Sequence, residues 1–129
     1  VMRMHGEAVF GHGIELMLQA VRQAHQNTSA TTPITSPPIT SPPITLIPHQ
    51  PSGKLLRAFT AALQSELPHI NVLSNLQHSG NTISATIPEL LASHPTLHNA
   101  PSSPLILAAS GICMPQMHNC MSFGSAYLA

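Results

Sequence analysis

Short apolar segments alternate with amphipathic segments along most of this chain, and that alternation constrains its fold most. Helical spacing of apolar residues predicts three helices, and short apolar runs predict four strands. The predicted helices are 8–26, 53–66 and 82–93, and the predicted strands are 44–48, 70–76, 105–109 and 122–128. Ser52 is the expected N-cap of the second helix, Pro88 should kink the third, and the last two strands should form a hairpin. Because strands and helices alternate, we predict an α/β fold with helices packed on a mixed sheet.

Residues 27–43 are rich in Pro, Thr and Ser, and 34–38 and 39–43 repeat the same five residues, Ile-Thr-Ser-Pro-Pro. Prolines at this density exclude a helix or a central strand, so an extended surface loop is predicted. A tolerated loop insertion is the favoured interpretation, because the entropy of loop closure grows slowly with length. The alternative is a ligand for SH3- or WW-type domains, which deletion of 28–43 would test through loss of partner binding.

Charged residues are scarce, at 6% of the 129 residues, against about a quarter in typical proteins. We therefore expect part of the surface to be covered, by a missing half of the same protein or by a partner subunit. There is no basic stripe and the aromatic content is 3%, which argues against nucleic-acid binding. All four acidic residues are glutamates, so a triad or a magnesium site that requires aspartate is excluded.

The sequence has no apolar run long enough to span a membrane and no signal-peptide pattern near Val1. Because it begins with valine, we interpret it as a fragment or as a chain trimmed upstream. Two cysteines, Cys113 and Cys120, do not make a disulfide framework. A reducing, cytoplasmic location is therefore expected, with no association with membranes.

Two polar residues, His49 and Asn81, follow predicted strands and precede predicted helices. Functional groups gather beyond the carboxyl ends of strands in open α/β sheets, so both residues can face one crevice. An imidazole N–H and a carboxamide are donors that together suit a developing oxyanion or enolate. A histidine or an asparagine at a strand end is also often a cap or an ordinary loop residue, and that interpretation stays open.

The residues around these two positions resemble β-ketoacyl-ACP synthase III. Residues 47–50, Ile-Pro-His-Gln, match its I-P-H-Q segment, and 80–88, GNTISATIP, resemble its G-N-T-S-A-A-S-I-P. Upstream, 4–10 resemble its M-x-G-x-x-V-F, and near the end 105–111 and 123–126 resemble its last two strands around a glycine-rich loop. The four motifs occur in the family's order, and the 32 residues from His49 to Asn81 match its spacing.

The resemblance implies a thiolase-like fold of two similar halves, with 1–129 as a C-terminal-like domain that carries the 27–43 insertion. It implies a Cys-His-Asn triad whose cysteine lies in the absent first half and takes an acyl group from acyl-CoA. His49 and Asn81 would hold the thioester carbonyl of malonyl-ACP and stabilise the enolate formed by decarboxylation. Lys54, with help from Arg57, would contact phosphopantetheine or the acidic carrier protein, although a solvated helix face explains both equally well. A dimer is expected, and no cofactor.

The chain departs from the family in the loop 112–121, which is longer than the family's glycine-rich turn. Gly111 could still present its backbone there, but neither Cys113 nor Cys120 has the sequence context of the nucleophile. Zinc could be bound by these cysteines with His118, or by His94 with His98, yet the spacings fit no standard motif, and no metal is expected. The alternative to a catalytic part is a non-catalytic thiolase-like subunit or remnant with a binding or structural role.

Overall fold

The structure is a computed structural model that describes residues 6–29, 43–99, 104–111 and 122–128. The described helices and strands come in a mixed order along the chain. The helices are α1 (Gly6–Ser29), α2 (Gly53–Glu66), α3 (Leu76–Ser79), α4 (Thr86–Ser93) and α5 (Thr96–Asn99), with a 3₁₀ turn at Ile83–Ala85. The strands are β1 (Ile44–Pro48), β2 (Ile70–Val72), β3 (Leu105–Gly111) and β4 (Ser122–Leu128).

The described strands form one four-stranded sheet in the order β2-β1-β3-β4. β1 is parallel to both neighbours, with Leu46 opposite Val72 on one side and Ile106 on the other. β4 runs antiparallel to β3 as a hairpin partner, with Leu105 opposite Leu128. The prediction of an α/β fold with a mixed sheet is therefore confirmed, and so is the predicted hairpin. The finer prediction of a thiolase-like half stays a prediction.

Helices cover both faces of this sheet. Successive residues of a strand point to opposite faces, so Leu46 and Ile106 pack with α1 and α2, whereas Ile47 and Leu105 pack with Leu90 of α4. The larger of the two clusters includes several fully buried side chains from the two long helices: Met17, Ala20, Val21, Phe59 and Leu63. The fold is thus a helix–sheet–helix sandwich whose core is built around β1 and β3.

Several predicted boundaries needed correction. α1 extends from Gly6 to Ser29 rather than over 8–26, so the predicted loop 27–43 begins with helical residues, and 30–42 lie outside the described part. The predicted strand 70–76 ends at Val72, because β1 offers no partner beyond Leu46 on that side and α3 begins at Leu76. A short helix, α5, follows α4 in a segment for which the sequence predicts neither a helix nor a strand.

The predicted helix 82–93 is a 3₁₀ turn followed by α4, and Pro88 does not kink it. Pro88 is the third residue of α4, where a backbone N–H has no intrahelical partner to lose. The proline ring also clashes with the carbonyl four residues earlier, so an α-helix cannot continue backward through Ser84. α2 begins as predicted, with the Ser52 hydroxyl accepting a hydrogen bond from the Leu55 N–H at 3.2 Å. None of the described helices has the length and hydropathy that a membrane crossing needs.

Candidate functional site

His49 lies directly beyond the carboxyl end of β1. Its backbone N–H donates to the Ala108 carbonyl at 2.8 Å, so the residue is attached to β3 as well. The side chain is half-buried, and this burial lowers the pKa of the imidazole from its ordinary value. A neutral imidazole results, which has one N–H donor and one acceptor nitrogen.

Gln50, the next residue, is a fully buried polar side chain that joins two loops. Its amide Nε2 donates to the Pro48 carbonyl at 3.0 Å and to the Leu73 carbonyl at 3.3 Å, and its Oε1 accepts from the Ser74 hydroxyl at 2.7 Å. Buried polar groups are costly unless they are hydrogen-bonded, so this arrangement fixes the backbone on both sides of His49. Gln50 had no predicted role beyond its place in a motif, although a glutamine directly after an apolar strand was a signal for it.

Asn81 lies on an exposed turn between α3 and the 3₁₀ turn. Its Nδ2 donates to the Pro51 carbonyl at 3.1 Å, and its Oδ1 accepts from the Ile83 N–H at 2.9 Å. The amide group has two N–H bonds, and the contact with Pro51 uses one of them. The Asn81 side chain therefore contacts the loop that begins at His49, two residues away from the histidine.

The backbone around Asn81 is strained. Gly80 has φ +66°, which glycine adopts readily, but Ile83 has φ +57°, a conformation that a β-branched residue rarely adopts. Left-handed conformations cost about 1–2 kcal/mol in an ordinary residue, and such strain is often found at functional sites. The Ile83 side chain is 75% exposed, so burial does not explain its conformation. The hydrogen bond from its N–H to Asn81 holds it in place.

Glu89 of α4 ties this turn to the body of the fold. Its carboxylate accepts hydrogen bonds from the hydroxyls of Ser79 and Thr82, the latter at 3.1 Å, and these two residues flank Asn81 on either side. The Thr82 hydroxyl oxygen also lies 3.3 Å from the Thr86 hydroxyl oxygen. Glu89 was not among the predicted site residues, because nothing in its local sequence connects it with residues seven and ten positions earlier.

The other predicted site residues lie around the same edge of the sheet. Lys54 is exposed on the first turn of α2, with its Nζ 5.4 Å from the centre of the Phe10 ring, within the range of a cation–π contact. Arg57 packs over Gly53, where an added Cβ would lie 3.3 Å from its Nη1. Gly111 ends β3, and because β1 and β3 are parallel, it lies beyond the same edge as His49.

This edge can act as a set of hydrogen-bond donors. His49 carries a neutral ring whose pKa is lowered, and Asn81 carries a carboxamide with a second N–H. His49 is the first residue of the segment 49–51 that follows β1, and Asn81 is hydrogen-bonded to Pro51 in that segment. Their joint action on one substrate oxygen stays a prediction, as do the roles of Lys54, Arg57 and Gly111.

Within the described ranges, no group of three or more His, Cys, Asp or Glu residues is arranged to hold a metal ion. Cys113, His118 and Cys120 lie outside these ranges, so the structure does not test the zinc alternative there. His94 follows α4, and its Nδ1 lies 3.0 Å from the Leu90 carbonyl oxygen. His98 belongs to a separate helix, α5, so the two histidines do not share one helical face.

Sequence comparison finds relatives of one kind. Two examples, from Pseudomonas aeruginosa strains LESB58 and UCBPP-PA14, are named beta-ketoacyl-[acyl-carrier-protein] synthase III, and each is 36% identical to this chain over 90 residues. The match covers 70% of this chain and 24% of each relative. No family model and no solved structure matches the chain. Over that part of its length, the chain is related to beta-ketoacyl-acyl-carrier-protein synthase III, and it spans about a quarter of such a protein.

Proposed function

We propose that this chain is the C-terminal part of a condensing enzyme that joins an acyl thioester to malonyl-ACP with loss of carbon dioxide, in fatty-acid or related lipid or polyketide synthesis. Its contribution is a pair of hydrogen-bond donors, His49 and Asn81. The observation that supports this most is the bond from Asn81 Nδ2 to the Pro51 carbonyl, which brings the carboxamide to the loop that starts at His49. The similarity to beta-ketoacyl-acyl-carrier-protein synthase III supports the reaction class.

The chemistry requires donors at one oxygen. When the carbon–carbon bond to the malonyl carboxylate breaks, carbon dioxide leaves and the electron pair moves into the thioester, giving an enolate with charge on oxygen. Preorganised donors aimed at that oxygen stabilise the transition state more than the ground state. Since burial lowers the pKa of His49, the ring is neutral and donates from one nitrogen while the charge develops.

The second step needs a nucleophile from elsewhere. The enolate carbon attacks the carbonyl of an acyl group held on a cysteine, the new carbon–carbon bond forms, and the cysteine thiolate leaves. We propose that this cysteine belongs to a first, thiolase-like half that also accepts the acyl group from acyl-CoA, and that the assembled enzyme is a cytoplasmic dimer. Residues 1–129 would form the complementary half, with 27–43 as a loop insertion.

Carrier recognition would use the exposed cations of α2. Lys54 and Arg57 lie on the first two turns of this helix, just after His49, and both are exposed. A phosphopantetheine phosphate or an acidic carrier protein would find both positive charges near the entrance to the site. Gly111, beyond the same sheet edge, would offer its backbone N–H.

The test is a decarboxylation assay that follows carbon dioxide released from malonyl-ACP. The chain is mixed with the N-terminal part of the Pseudomonas aeruginosa relative, which supplies the nucleophile-bearing half. Removing one donor from a preorganised site lowers the rate about 10²–10³-fold. The rate of carbon dioxide release should therefore fall by that factor in His49→Ala and in Asn81→Ala. The matched controls are His78→Ala and Asn71→Ala, which alter exposed residues on α3 and β2 and should keep the wild-type rate.

Full activity in both His49→Ala and Asn81→Ala would contradict the proposal. An assembled complex that binds malonyl-ACP but releases no carbon dioxide, in wild type as in the variants, would favour the alternative of a non-catalytic thiolase-like subunit. Condensation is then measured with acyl-CoA added, and it should require both the first half and His49.

A further inference from the structure

Two histidine rings meet at the opposite edge of the sheet from His49. His25 is near the end of α1, and His69 directly precedes β2. Their Nε2 atoms are 3.1 Å apart, and the ring centres are 5.2 Å apart with planes tilted by 54°. Both rings are partly buried. The pair therefore joins α1 to the start of β2 through two nitrogen atoms at short range.

The backbone holds both residues of this pair firmly. The His69 carbonyl accepts a hydrogen bond from the Ile44 N–H at 3.2 Å, which attaches His69 to β1. His25 follows Ala24, which is buried in the core at 2% exposure. One helical turn earlier, Arg22 Nε donates to both oxygens of Glu66, at 2.8 and 3.1 Å. The two rings are thus presented by elements that are already packed and paired.

We propose that His25 and His69 form a binding site for a divalent transition-metal ion of the class that prefers imidazole, such as Cu²⁺ or Zn²⁺. Metal–nitrogen bonds to histidine are about 2.0–2.1 Å long, so two nitrogens 3.1 Å apart subtend about 100° at a shared ion. That angle suits a tetrahedral ion and also adjacent positions of a square or octahedral one. Without metal, one Nε2–H donates to the other ring, and binding requires that proton to move to Nδ1 of its own ring.

The surroundings are compatible with a bound cation. Metal ligation needs neutral imidazole, and burial together with the neighbouring His69 lowers the pKa of His25. The charged groups one turn away on the two elements, Arg22 and Glu66, are paired with each other at 2.8 Å, and Arg22 also contacts Glu15 farther back along α1. Within the described residues no third His, Cys, Asp or Glu joins the pair as a metal ligand. An ion held by both rings would tie α1 to β2.

The experiment titrates the complete chain with Cu²⁺ and with Zn²⁺, and follows the imidazole signals of ¹⁵N-labelled histidine by NMR. Paramagnetic Cu²⁺ at less than one equivalent should broaden the signals of His25 and His69 before those of the other histidines. Affinity measured by calorimetry should be higher for Cu²⁺ than for Zn²⁺, in the Irving–Williams order. It should fall at least about tenfold in His25→Ala and in His69→Ala, and stay unchanged in the control variant His12→Ala.

Early broadening of other histidine signals with these two unaffected would overturn the proposal, as would a loss smaller than tenfold in both variants. If either alanine variant fails to fold, His25→Gln and His69→Gln replace it, since glutamine keeps a polar side chain. The second readout is thermal stability. A ligand that binds only the folded state raises the melting temperature, so Zn²⁺ should raise it in the wild type and not in the double glutamine variant, and an equal rise in both would contradict the site.

Discussion

The two predicted donors stand on very different supports. His49 follows a strand buried on both faces, its backbone is bonded to β3, and its neighbour Gln50 is completely buried. Asn81 stands on an exposed turn that contains a strained Ile83 and is held mainly through side-chain hydrogen bonds. Core packing therefore fixes the backbone that carries the imidazole, whereas a small polar network fixes the carboxamide. The geometry of the site should be much easier to disturb from the Asn81 side.

The largest effect is expected at the His49 support, from Gln50→Leu. The change keeps the size of the side chain but removes three hydrogen bonds and leaves the Pro48 and Leu73 carbonyls without their buried partner. Each buried unsatisfied group costs about 1–3 kcal/mol, so the free energy of unfolding should fall by about 3 kcal/mol. Urea unfolding measures it. Gln64→Leu, on the exposed face of α2, is the control and should change stability little, and an equally small loss in Gln50→Leu would contradict the role given to core packing.

A smaller and local effect is expected from Glu89→Ala. This change removes the acceptor shared by Ser79 and Thr82, and it should lower the free energy of unfolding by about 1–2 kcal/mol. Amide hydrogen exchange should accelerate at 79–83 and stay slow in β1 and β3. Glu89→Gln retains one carbonyl acceptor, so its free energy of unfolding should lie between those of the wild type and Glu89→Ala. Uniformly faster exchange over the whole sheet would show that the two supports are not separate.

The strained turn predicts a gain in stability. Asparagine tolerates the left-handed conformation better than isoleucine does, and the Ile83 side chain is 75% exposed. Ile83→Asn should therefore raise the free energy of unfolding by up to about 1 kcal/mol. Ser84→Asn, at the exposed neighbour without positive φ, should give no gain. A loss of stability in Ile83→Asn would mean that the isoleucine side chain makes a contact that outweighs the strain.

The smallest effect concerns pH. Burial lowers the pKa of His49 in the folded chain, while the unfolded chain binds a proton near the ordinary pKa of about 6.5. As the pH falls through that value, the unfolded state binds more protons than the folded state does. The free energy of unfolding is therefore unaffected by His49 at higher pH and decreases on acidification. Between about pH 7.5 and 5.5, His49→Gln should therefore lose less stability than the wild type does, as measured from the midpoints of urea unfolding. His78→Gln, at an exposed histidine, is the control, and an equal weakening in both variants would contradict the assignment.

Sequence patterns predicted the parts of the fold that local burial determines. β1, α2 with its Ser52 cap, and the β3–β4 hairpin were all placed correctly or nearly so. The predicted strand 70–76 was too long because Leu73 and Leu76 are apolar and extend the strand-like pattern. The actual end of β2 is set by its pairing with β1, which stops at Leu46 and Val72.

Contacts between residues far apart in the sequence could not be predicted from hydrophobic periodicity, which describes only local structure. His25 and His69 are 44 residues apart, and Glu89 reaches back to Ser79 across the 3₁₀ turn. The motif resemblance singled out His49 and Asn81 as candidates, but it gave no account of how differently the two are held. Gln50 stood in the same motif without a role, because two of the three partners that satisfy its buried amide are 23 and 24 residues farther along.

The most direct test of the paired donors is an NMR titration with malonyl-CoA. The chain is labelled with ¹⁵N in histidine and asparagine and is mixed with the unlabelled nucleophile-bearing half. We expect the His49 imidazole and the Asn81 side-chain amide signals to shift along one saturation curve, while those of His78 and Asn71 stay in place. If saturating malonyl-CoA moves only one of the two, or neither, then His49 and Asn81 do not bind the same thioester.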